Sequence, residues 1–533
     1  MQIKRLSVNG NKCLDHFSIE MMINREQGSS TILIGENGTG KSTMLKTVLE
    51  ILMSFDSPSI EENISYDYQI EYFYKGNEIK VSKSGRLYEI QINDDFQFYG
   101  TMKSFKKELL RIGKSIIPER INYFYSGAND QTLDIFKRIN INYNTDCRDQ
   151  IVRYWNTIYL LNHDEYTGEF PKRKYNYCDE ELVPVYLISI LCGGNTYEKR
   201  CLQEQCHIGR IDSISVVINT RSLRNRLQND ITEIGVEGVY DLLNFIDDRF
   251  TECFRQGYIE QDREQFVFVL DHLEIIDADS VSFFNFFEKL ITLLDANLNL
   301  RAFVGDIPVN CSLLSEGQRQ LIKVLGMLGV CKSEDTLVLM DEPDAHMNPK
   351  WKYDLKEIID ACLEEAINTQ AIIATHDPLV INGVDNQFIR IFVHDTTILH
   401  DNHAYITKVI EPTENTEGLG IDGLLQSEYY GLKTSYDRKT SDEFVRRQIL
   451  YSKLINNGIT DEEKDELRQL TKKIGSLPIS NNSIDFLYDD FIQVYRNSEL
   501  FSKEYLSYEE IQERRRKIQE IITTLYEGRY EIY

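Results

Sequence analysis

Residues 311–345, CSLLSEGQRQLIKVLGMLGVCKSEDTLVLMDEPDA, decide the fold. The stretch predicts a helix over 317–329 that starts with a hydroxyl and a glycine, groups that bind anions at a helix N-terminus. The apolar run 336–340 predicts a buried strand, and the carboxylates Asp341 and Glu342 follow it directly. An anion-binding helix followed by a strand that ends in paired carboxylates predicts a nucleotide site on an α/β sheet.

A glycine-rich loop lies far upstream, in TILIGENGTGKST at residues 31–43. Residues 32–34 predict a buried parallel strand and residues 43–53 an amphipathic helix, which is the context of a Walker A phosphate loop. The glycines allow backbone N–H groups to surround phosphates, and a lysine adds charge for the β- and γ-phosphates. The residues expected to bind the nucleotide here are Gly35, Asn37, Gly38, Thr39, Gly40, Lys41, Ser42 and Thr43.

The metal ligands and catalytic groups follow from the same segments. We expect the Ser42 hydroxyl and the Asp341 carboxylate to hold Mg²⁺. Glu342 is placed to orient or deprotonate the attacking water. The apolar segment 371–374 predicts a further strand, and ligands collect at the carboxyl edge of open α/β sheets. His376, just beyond that strand, is therefore expected to contact the γ-phosphate or the water, so Glu342 and His376 are the predicted catalytic residues.

One nucleotide does not need two phosphate-binding segments in one chain. The economical interpretation is that Ser315, Gly317 and Gln318, at the start of the second helix, contact the γ-phosphate of a nucleotide bound by another subunit. The sequence thus predicts a site that is completed in an oligomer.

The motifs at residues 35–43, 314–318, 337–342 and 375–376 together resemble those of the ABC-type ATPases in their order and spacing. This resemblance implies ATP and Mg²⁺ as cofactors and a homodimer or higher oligomer in which two subunits sandwich two nucleotides. It makes Asp344 the D-loop residue that crosses the dimer interface. The glutamine of the family's Q-loop is not evident, because residues 120–127, a plausible neighbourhood, contain none.

The sequence also favours one branch of the family. From Lys41 to Ser315 there are 315 − 41 = 274 residues, which implies a large insertion, and no sustained heptad repeat marks a long coiled coil. The segment DEPDAHMNP at 341–349 resembles RecF/SMC-like ATPases of bacterial antiphage defence, the Septu PtuA group and its retron-associated relatives. Residues 125–127 and the tail at 419–432 are similar to that group as well.

That resemblance implies a partner effector, often an HNH-type nuclease, and possible contact with nucleic acid. The alternative hypothesis is a RecF-like DNA repair or recombination ATPase that binds DNA without a toxic effector. A transporter subunit is disfavoured, because no coupling helix for a membrane partner is recognisable in the insertion.

The longest apolar run, Leu182–Cys192, is far shorter than the roughly 18–20 residues of a membrane span, so we expect a cytoplasmic protein with no membrane partner. The 533 residues are 42% hydrophobic and 27% charged, and the formal net charge of −26 argues against a uniformly basic nucleic-acid-binding surface. We predict an α/β fold: a P-loop ABC-type head with an antiparallel β subdomain, a mixed α/β insertion and a C-terminal helical region. The predicted domains are 1–60 (lobe I with Walker A), 61–125 (antiparallel β), 126–300 (mostly helical insertion), 301–411 (lobe II) and 412–533 (C-terminal helices).

Overall fold

The computed structural model describes residues 1–112, 115–127, 131–160, 166–227, 234–262, 264–271, 273–332, 335–395, 406–432, 437–455, 460–475 and Arg516. The chain divides into two compact units, Met1–Lys433 and Thr434–Tyr533. A hairpin arm that the sequence predicts around 396–399 and a charged helix predicted over 505–526 lie outside the described residues, apart from Arg516.

The described strands, in chain order, are β1 (Gln2–Asn9), β2 (Phe17–Glu20), β3 (Ser29–Gly35), β4 (Asp67–Tyr74), β5 (Asn77–Ser84), β6 (Leu87–Ile92), β7 (Phe96–Gly100), β8 (Arg120–Tyr125), β9 (Tyr175–Cys178), β10 (Ile208–Asn219), β11 (Tyr258–Asp262), β12 (Gln265–Leu270), β13 (Asn297–Val304), β14 (Ile307–Asn310), β15 (Thr336–Asp341), β16 (Gln370–Ala374), β17 (Ile389–Asp395) and β18 (Ile406–Ile410).

The described α-helices are α1 (Lys41–Ser54), α2 (Pro58–Glu61), α3 (Met102–Ile112), α4 (Gln131–Trp155), α5 (Val183–Gly193), α6 (Thr196–Cys206), α7 (Thr220–Leu227), α8 (Val236–Asp247), α9 (Thr251–Gln256), α10 (Ser280–Leu294), α11 (Glu316–Gly329), α12 (Pro349–Leu363), α13 (Gly420–Gln426), α14 (Arg438–Ile455) and α15 (Asp461–Gly475). None of these helices is both long and apolar enough to cross a membrane.

A seven-stranded sheet, in the order β18-β17-β3-β16-β15-β8-β9, carries both predicted nucleotide motifs. All of its neighbouring pairs are parallel except β17 with β18. Strands β3, β15 and β16 are buried along almost their whole length. This is why their sequences are continuous apolar runs rather than alternating ones.

Each face of this sheet is covered by a different part of the chain. Leu33 belongs to a core cluster with Leu45 and Val48 of α1. Its neighbour Ile34 belongs to a second cluster, which contains Leu325 of α11. Because successive side chains in a strand point to opposite faces, the phosphate-loop helix α1 covers one face and α11 the other.

Two further sheets belong to the same unit as the seven-stranded sheet. One is antiparallel in the order β2-β1-β4-β5-β6-β7, and the other, in the order β11-β12-β10-β13-β14, lies within the long insertion and its junction with lobe II. The sheets do not follow the domain ranges predicted from sequence. β8, in the range 61–125, and β9, in the range 126–300, both belong to the parallel sheet, because β8 pairs with β15 and β9 with β8.

The C-terminal unit contains an antiparallel helical pair, α14 and α15, that has its own small core. Leu450 and Leu467 are buried there. Arg446 and Glu466 form a two-pronged ion pair across the pair of helices, with N–O distances of 2.8 and 2.7 Å. Such exposed pairs contribute little stability, so the leucines provide the main attraction between the helices.

Candidate nucleotide-binding site

The phosphate loop leaves β3 at Gly35 and enters α1 at Gly40. Gly35, Gly38 and Gly40 have positive φ angles of 146°, 86° and 96°. A Cβ atom on Gly35 would lie 2.2 Å from the carbonyl oxygen of Phe392. Glycine is required at Gly35 because of both the backbone angle and this close approach. The exposed part of the loop, at Asn37 and Gly38, is the part that a ligand can reach.

Lys41 is buried in this loop, with 7% of its surface exposed. Its Nζ atom donates hydrogen bonds to the carbonyl oxygens of Gly35 at 2.6 Å and Glu36 at 3.0 Å. Burial lowers the pKa of the ammonium group, while Glu342 and Asp341 act in the opposite direction. The lysine therefore holds the loop closed and places a positive charge at its centre.

The predicted metal ligands meet at one point although 299 residues separate them along the chain. Ser42 Oγ donates a hydrogen bond of 3.0 Å to Asp341 Oδ1. Asp341 is 1% exposed, and burial raises its pKa to about 6. Among the described residues its other oxygen, Oδ2, has no hydrogen-bond partner. An orphaned buried carboxylate oxygen beside a hydroxyl provides the hard oxygen ligands that Mg²⁺ prefers, so these residues fit that ion.

Glu342 and His376 also come together. Glu342 has a φ of +54°, an unusual conformation for a residue with a side chain, and its N–H donates to Ala374 O at 2.8 Å. Its Oε1 atom lies 3.2 Å from His376 Nδ1. The glutamate side chain is 39% and the histidine 52% exposed. The two side chains thus form a solvent-accessible acid–base pair next to the buried Asp341.

The second phosphate-binding segment starts α11 with a capping box. Gln318 N donates to Ser315 Oγ at 3.3 Å, and Gln318 Oε1 accepts a hydrogen bond from Ser315 N at 3.0 Å. Ser315 is exposed, whereas Gly317 is buried, with the carbonyl oxygen of His346 3.0 Å from the position of a Cβ. Ser315 is therefore the member of this motif that faces outward, and Gly317 allows close packing behind it.

Asp344, the expected D-loop residue, is 2% exposed within its own chain. Burial raises the pKa of its carboxyl group, and the side chain of Thr375 acts in the opposite direction. His346 is the outward residue of this loop: its side chain is 55% exposed and its Nδ1 atom lies 3.2 Å from Glu316 Oε2 at the start of α11.

One contact to the phosphate loop could not be anticipated from the motifs. Thr407, on β18, donates a hydrogen bond from Oγ1 to the carbonyl oxygen of Thr39 at 2.8 Å. The same oxygen would lie 2.7 Å from a Cβ on Gly40. Thr407 therefore braces the loop from the edge strand. Thr407 is 368 residues from Thr39 in the sequence and belongs to no motif, so no local sequence pattern predicts this contact.

This chain is similar to a known protein family and to proteins from two bacteria. A family described as "AAA domain, putative AbiEii toxin, Type IV TA system" matches residues 221–382. The "Septu protein PtuA" of Bacillus mycoides (strain KBAB4) is 26% identical over 208 residues, 39% of this chain, and the match spans only 25% of that relative. The "Retron Vc95 probable ATPase" of Vibrio cholerae serotype O1 biovar El Tor is 21% identical over 465 residues, 84% of this chain and 82% of the relative.

Solved structures of SMC head domains are also similar. An Smc head bound to the C-terminal winged-helix domain of ScpA aligns with a TM-score of 0.34 at 13% identity, over 77% of this chain and 97% of the other. The SMC head domain from Thermotoga maritima aligns with a TM-score of 0.33 at 12% identity, over 78% and 100%.

The family match and the two relatives confirm the resemblance to ATPases of defence systems that the sequence predicts. The α/β fold class is confirmed as well, and the family match and the relatives support ATPase activity.

Proposed function

We propose that this chain is a Mg²⁺-dependent ATPase that dimerises around ATP and controls a partner effector, a nuclease, in a bacterial defence system against phages. The ATPase proposal rests on the convergence of three separate segments at one edge of the parallel sheet. Lys41 and Ser42 follow β3, Asp341 ends β15 with Glu342 directly after it, and His376 follows β16.

The chemistry follows from what these groups can do. The loop N–H groups and Lys41 bind the triphosphate, and the Ser42 hydroxyl and Asp341 carboxylate would hold Mg²⁺. Bound there, the ion would offset the negative charge of the phosphates. Glu342 accepts a proton from the attacking water, and His376, 3.2 Å away, orients the Glu342 carboxylate. Loop, carboxylate and histidine together provide binding, orientation and proton transfer for phosphoryl transfer to water.

The dimer proposal rests on the outward face of the α11 start. Ser315 and Glu316 are exposed there, and Leu313, two residues earlier, is 75% exposed. An exposed helix start binds anions, which is what a subunit interface with a bound nucleotide requires. The exposed surface would cover the γ-phosphate held by a second copy of the chain.

Ser315→Arg should separate nucleotide binding from dimerisation. The substituted protein keeps its own phosphate loop, so its affinity for ATP should stay within about threefold. A bulky cation at the helix start should block the approach of the second subunit, and turnover should fall at least about tenfold, or about 1.4 kcal/mol in barrier. Light scattering after size-exclusion chromatography, with and without Mg²⁺-ATP, measures the dimer.

Ser59→Arg is the matched control, because Ser59 is also an exposed serine near a helix start but lies outside the site. It should dimerise and hydrolyse ATP like the parent. An unchanged ATP-dependent dimer in Ser315→Arg would contradict the proposed interface.

The effector proposal is supported by the relatives, because Septu and retron systems give the two matches. The test is protection of a bacterial host. Cells that carry this chain together with the gene of its partner should reduce phage plating by at least about 100-fold, and Lys41→Ala, which removes the charge from the phosphate loop, should abolish protection. Protection without the partner, or with Lys41→Ala, would refute control of an effector by ATP.

A further inference from the structure

Ser126 connects the Walker B strand to its neighbour. It follows β8, the parallel strand beside β15, in which Tyr125 is aligned with Asp341. The backbone N–H of Ser126 donates a hydrogen bond of 3.3 Å to the carbonyl oxygen of Asp341. The backbone at Ser126 is thus tied to the residue whose side chain is the proposed Mg²⁺ ligand. This is also the neighbourhood in which a Q-loop glutamine was expected and where the sequence has none.

A glutamine reaches the same point from another element. Gln320 Nε2, on α11, donates a hydrogen bond of 2.9 Å to Ser126 Oγ. Gln320 is 4% exposed. A buried amide that loses its partner costs about 1–3 kcal/mol, so this contact is maintained in the folded chain. The contact therefore joins α11 to the sheet edge through Ser126.

The next turn of α11 makes a second contact with the same strand. Lys323 Nζ lies 5.2 Å from the ring centre of Phe124, near the end of β8, and 2.6 Å from Glu180 Oε1. Residues three apart on a helix share a face. One face of α11 is thus held against the end of β8 by Gln320 and Lys323, so that helix and strand end move together.

The start of α11 is the segment that faces the second subunit. Gln320 lies five residues after Ser315, a separation of about 7.5 Å along a helix. The capping box fixes the first turn of the helix. A displacement of Ser315 by a partner's nucleotide would therefore be carried along a rigid helix to Gln320 within two turns.

We propose that Gln320 is a positioning residue that couples the α11 start to the magnesium site of the same subunit, through Ser126 and the backbone of Asp341. Binding of the partner's nucleotide at the start of α11 then sets the position of Asp341. Gln320 performs from α11 the linking task for which residues 120–127 offer no glutamine. This inference rests on the proposed function.

The test compares Gln320→Leu, Ser126→Ala and the double variant by steady-state ATP hydrolysis at varied ATP and Mg²⁺. Each single change should lower kcat about tenfold with KM within about twofold, and raise the Mg²⁺ concentration for half-maximal rate severalfold. Because both residues act through one hydrogen bond, the double variant should lose no more than the larger single loss. Ser126→Thr, which keeps a hydroxyl, should recover most of the rate.

Gln205→Leu and Ser189→Ala are the controls. Gln205 Nε2 donates to Asp354 Oδ2 at 3.3 Å, and Ser189 Oγ bonds to the carbonyl oxygen of Val185 within its own helix. Both should leave kcat and the Mg²⁺ dependence unchanged.

Different failures point to different errors. If Gln320→Leu in an active protein keeps the parental kcat and Mg²⁺ dependence, the coupling is overturned. Losses that multiply in the double variant, or a lower melting temperature with unaltered Mg²⁺ dependence, would overturn it too, since these indicate a structural role alone. If the parent neither binds nor hydrolyses ATP, the proposed function itself fails.

Discussion

Replacing Glu342 with glutamine is expected to lower kcat for ATP hydrolysis by about 10²–10³-fold, while ATP affinity stays within about threefold. Glutamine has the same shape as glutamate, but it cannot accept a proton from water at neutral pH. The phosphate loop and the Ser42–Asp341 contact are untouched by the change. The variant should therefore bind ATP, form the dimer and remain in it.

The backbone at Glu342 makes this substitution a clean one. A φ of +54° is strained for any residue with a Cβ, and glutamine carries the same strain as glutamate. Any loss of activity in Glu342→Gln is thus due to the lost carboxylate rather than to a changed turn. His376→Ala should cause a smaller loss, because it removes only the group 3.2 Å away that orients the carboxylate.

Single-turnover hydrolysis and the binding of a fluorescent ATP analogue measure the two properties separately. Glu364→Gln, at an exposed position just past α12, is the control and should behave like the parent. A Glu342→Gln variant that turns over ATP at the parental rate would remove Glu342 from the catalytic role. A variant that no longer binds ATP would mean that the residue supports the fold of the site instead.

The structural elements around the candidate site that the sequence predicts correctly are those whose determinants are local. The phosphate loop depends on a strand, three glycines and a helix within residues 31–54, and the structure places them as predicted. Likewise β15 is a six-residue buried run that ends at Asp341. That Asp341 would approach Ser42 follows from a general rule, since ligands gather at the carboxyl edge of a parallel sheet.

Other features depend on contacts between distant segments. Asp344 is 2% exposed because its loop packs against other segments of the chain, and a sequence motif contains no information about that packing. Thr407 reaches the phosphate loop only because β18 is the edge strand next to β17, which pairs in turn with β3. Gln320 meets Ser126 only because α11 covers the sheet next to β8. Each of these contacts depends on how distant segments pack together rather than on residue type.

Burial of the metal ligand implies a conflict between stability and activity. In the ligand-free chain Asp341 is 1% exposed, one of its oxygens has no hydrogen-bond partner among the described residues, and Glu342 adds negative charge beside it. The net effect of its surroundings raises the pKa of Asp341 from the ordinary 3.8 to about 6: burial is the largest cause, the Ser42 hydrogen bond acts against it, Glu342 acts with it, and the charges of Lys46 and Lys41 oppose it. The ionised carboxylate is therefore held in the folded chain at a free-energy cost.

Asp341→Asn should consequently make the ligand-free protein more stable and almost inactive. At pH 8 the free energy of unfolding should rise by about 1–3 kcal/mol, because the parent holds an ionised buried carboxylate there and asparagine carries no charge. Asparagine still accepts the hydrogen bond from Ser42, but its neutral amide oxygen is a weaker Mg²⁺ ligand than the carboxylate. Hydrolysis should fall by at least about 100-fold for the same reason.

The direction of the pKa change determines how the stability gain of Asp341→Asn depends on pH. Because the folded-state pKa lies above the unfolded one, the folded chain binds more protons between pH 3.8 and about 6. The cost of the charge is fully present above pH 6 and disappears as the pH falls through that range. The stability advantage of Asp341→Asn should therefore be largest at pH 8 and shrink at pH 5. Urea unfolding in buffer with a chelator measures it, and Asp94→Asn, at an exposed turn, should change stability by less than about 0.5 kcal/mol.

Saturating Mg²⁺-ATP should make the parent more stable than Asp341→Asn. A ligand that binds only the folded state stabilises it by about 2.7 kcal/mol at 100 times its dissociation constant, and the parent would gain this in full. Asp341→Asn would gain less, because an uncharged amide binds the magnesium ion more weakly than the carboxylate. If Asp341→Asn is less stable than the parent at pH 8 without ligand, the buried carboxylate is not held at a cost. If it gains as much from Mg²⁺-ATP as the parent does, Asp341 is not a ligand of the metal.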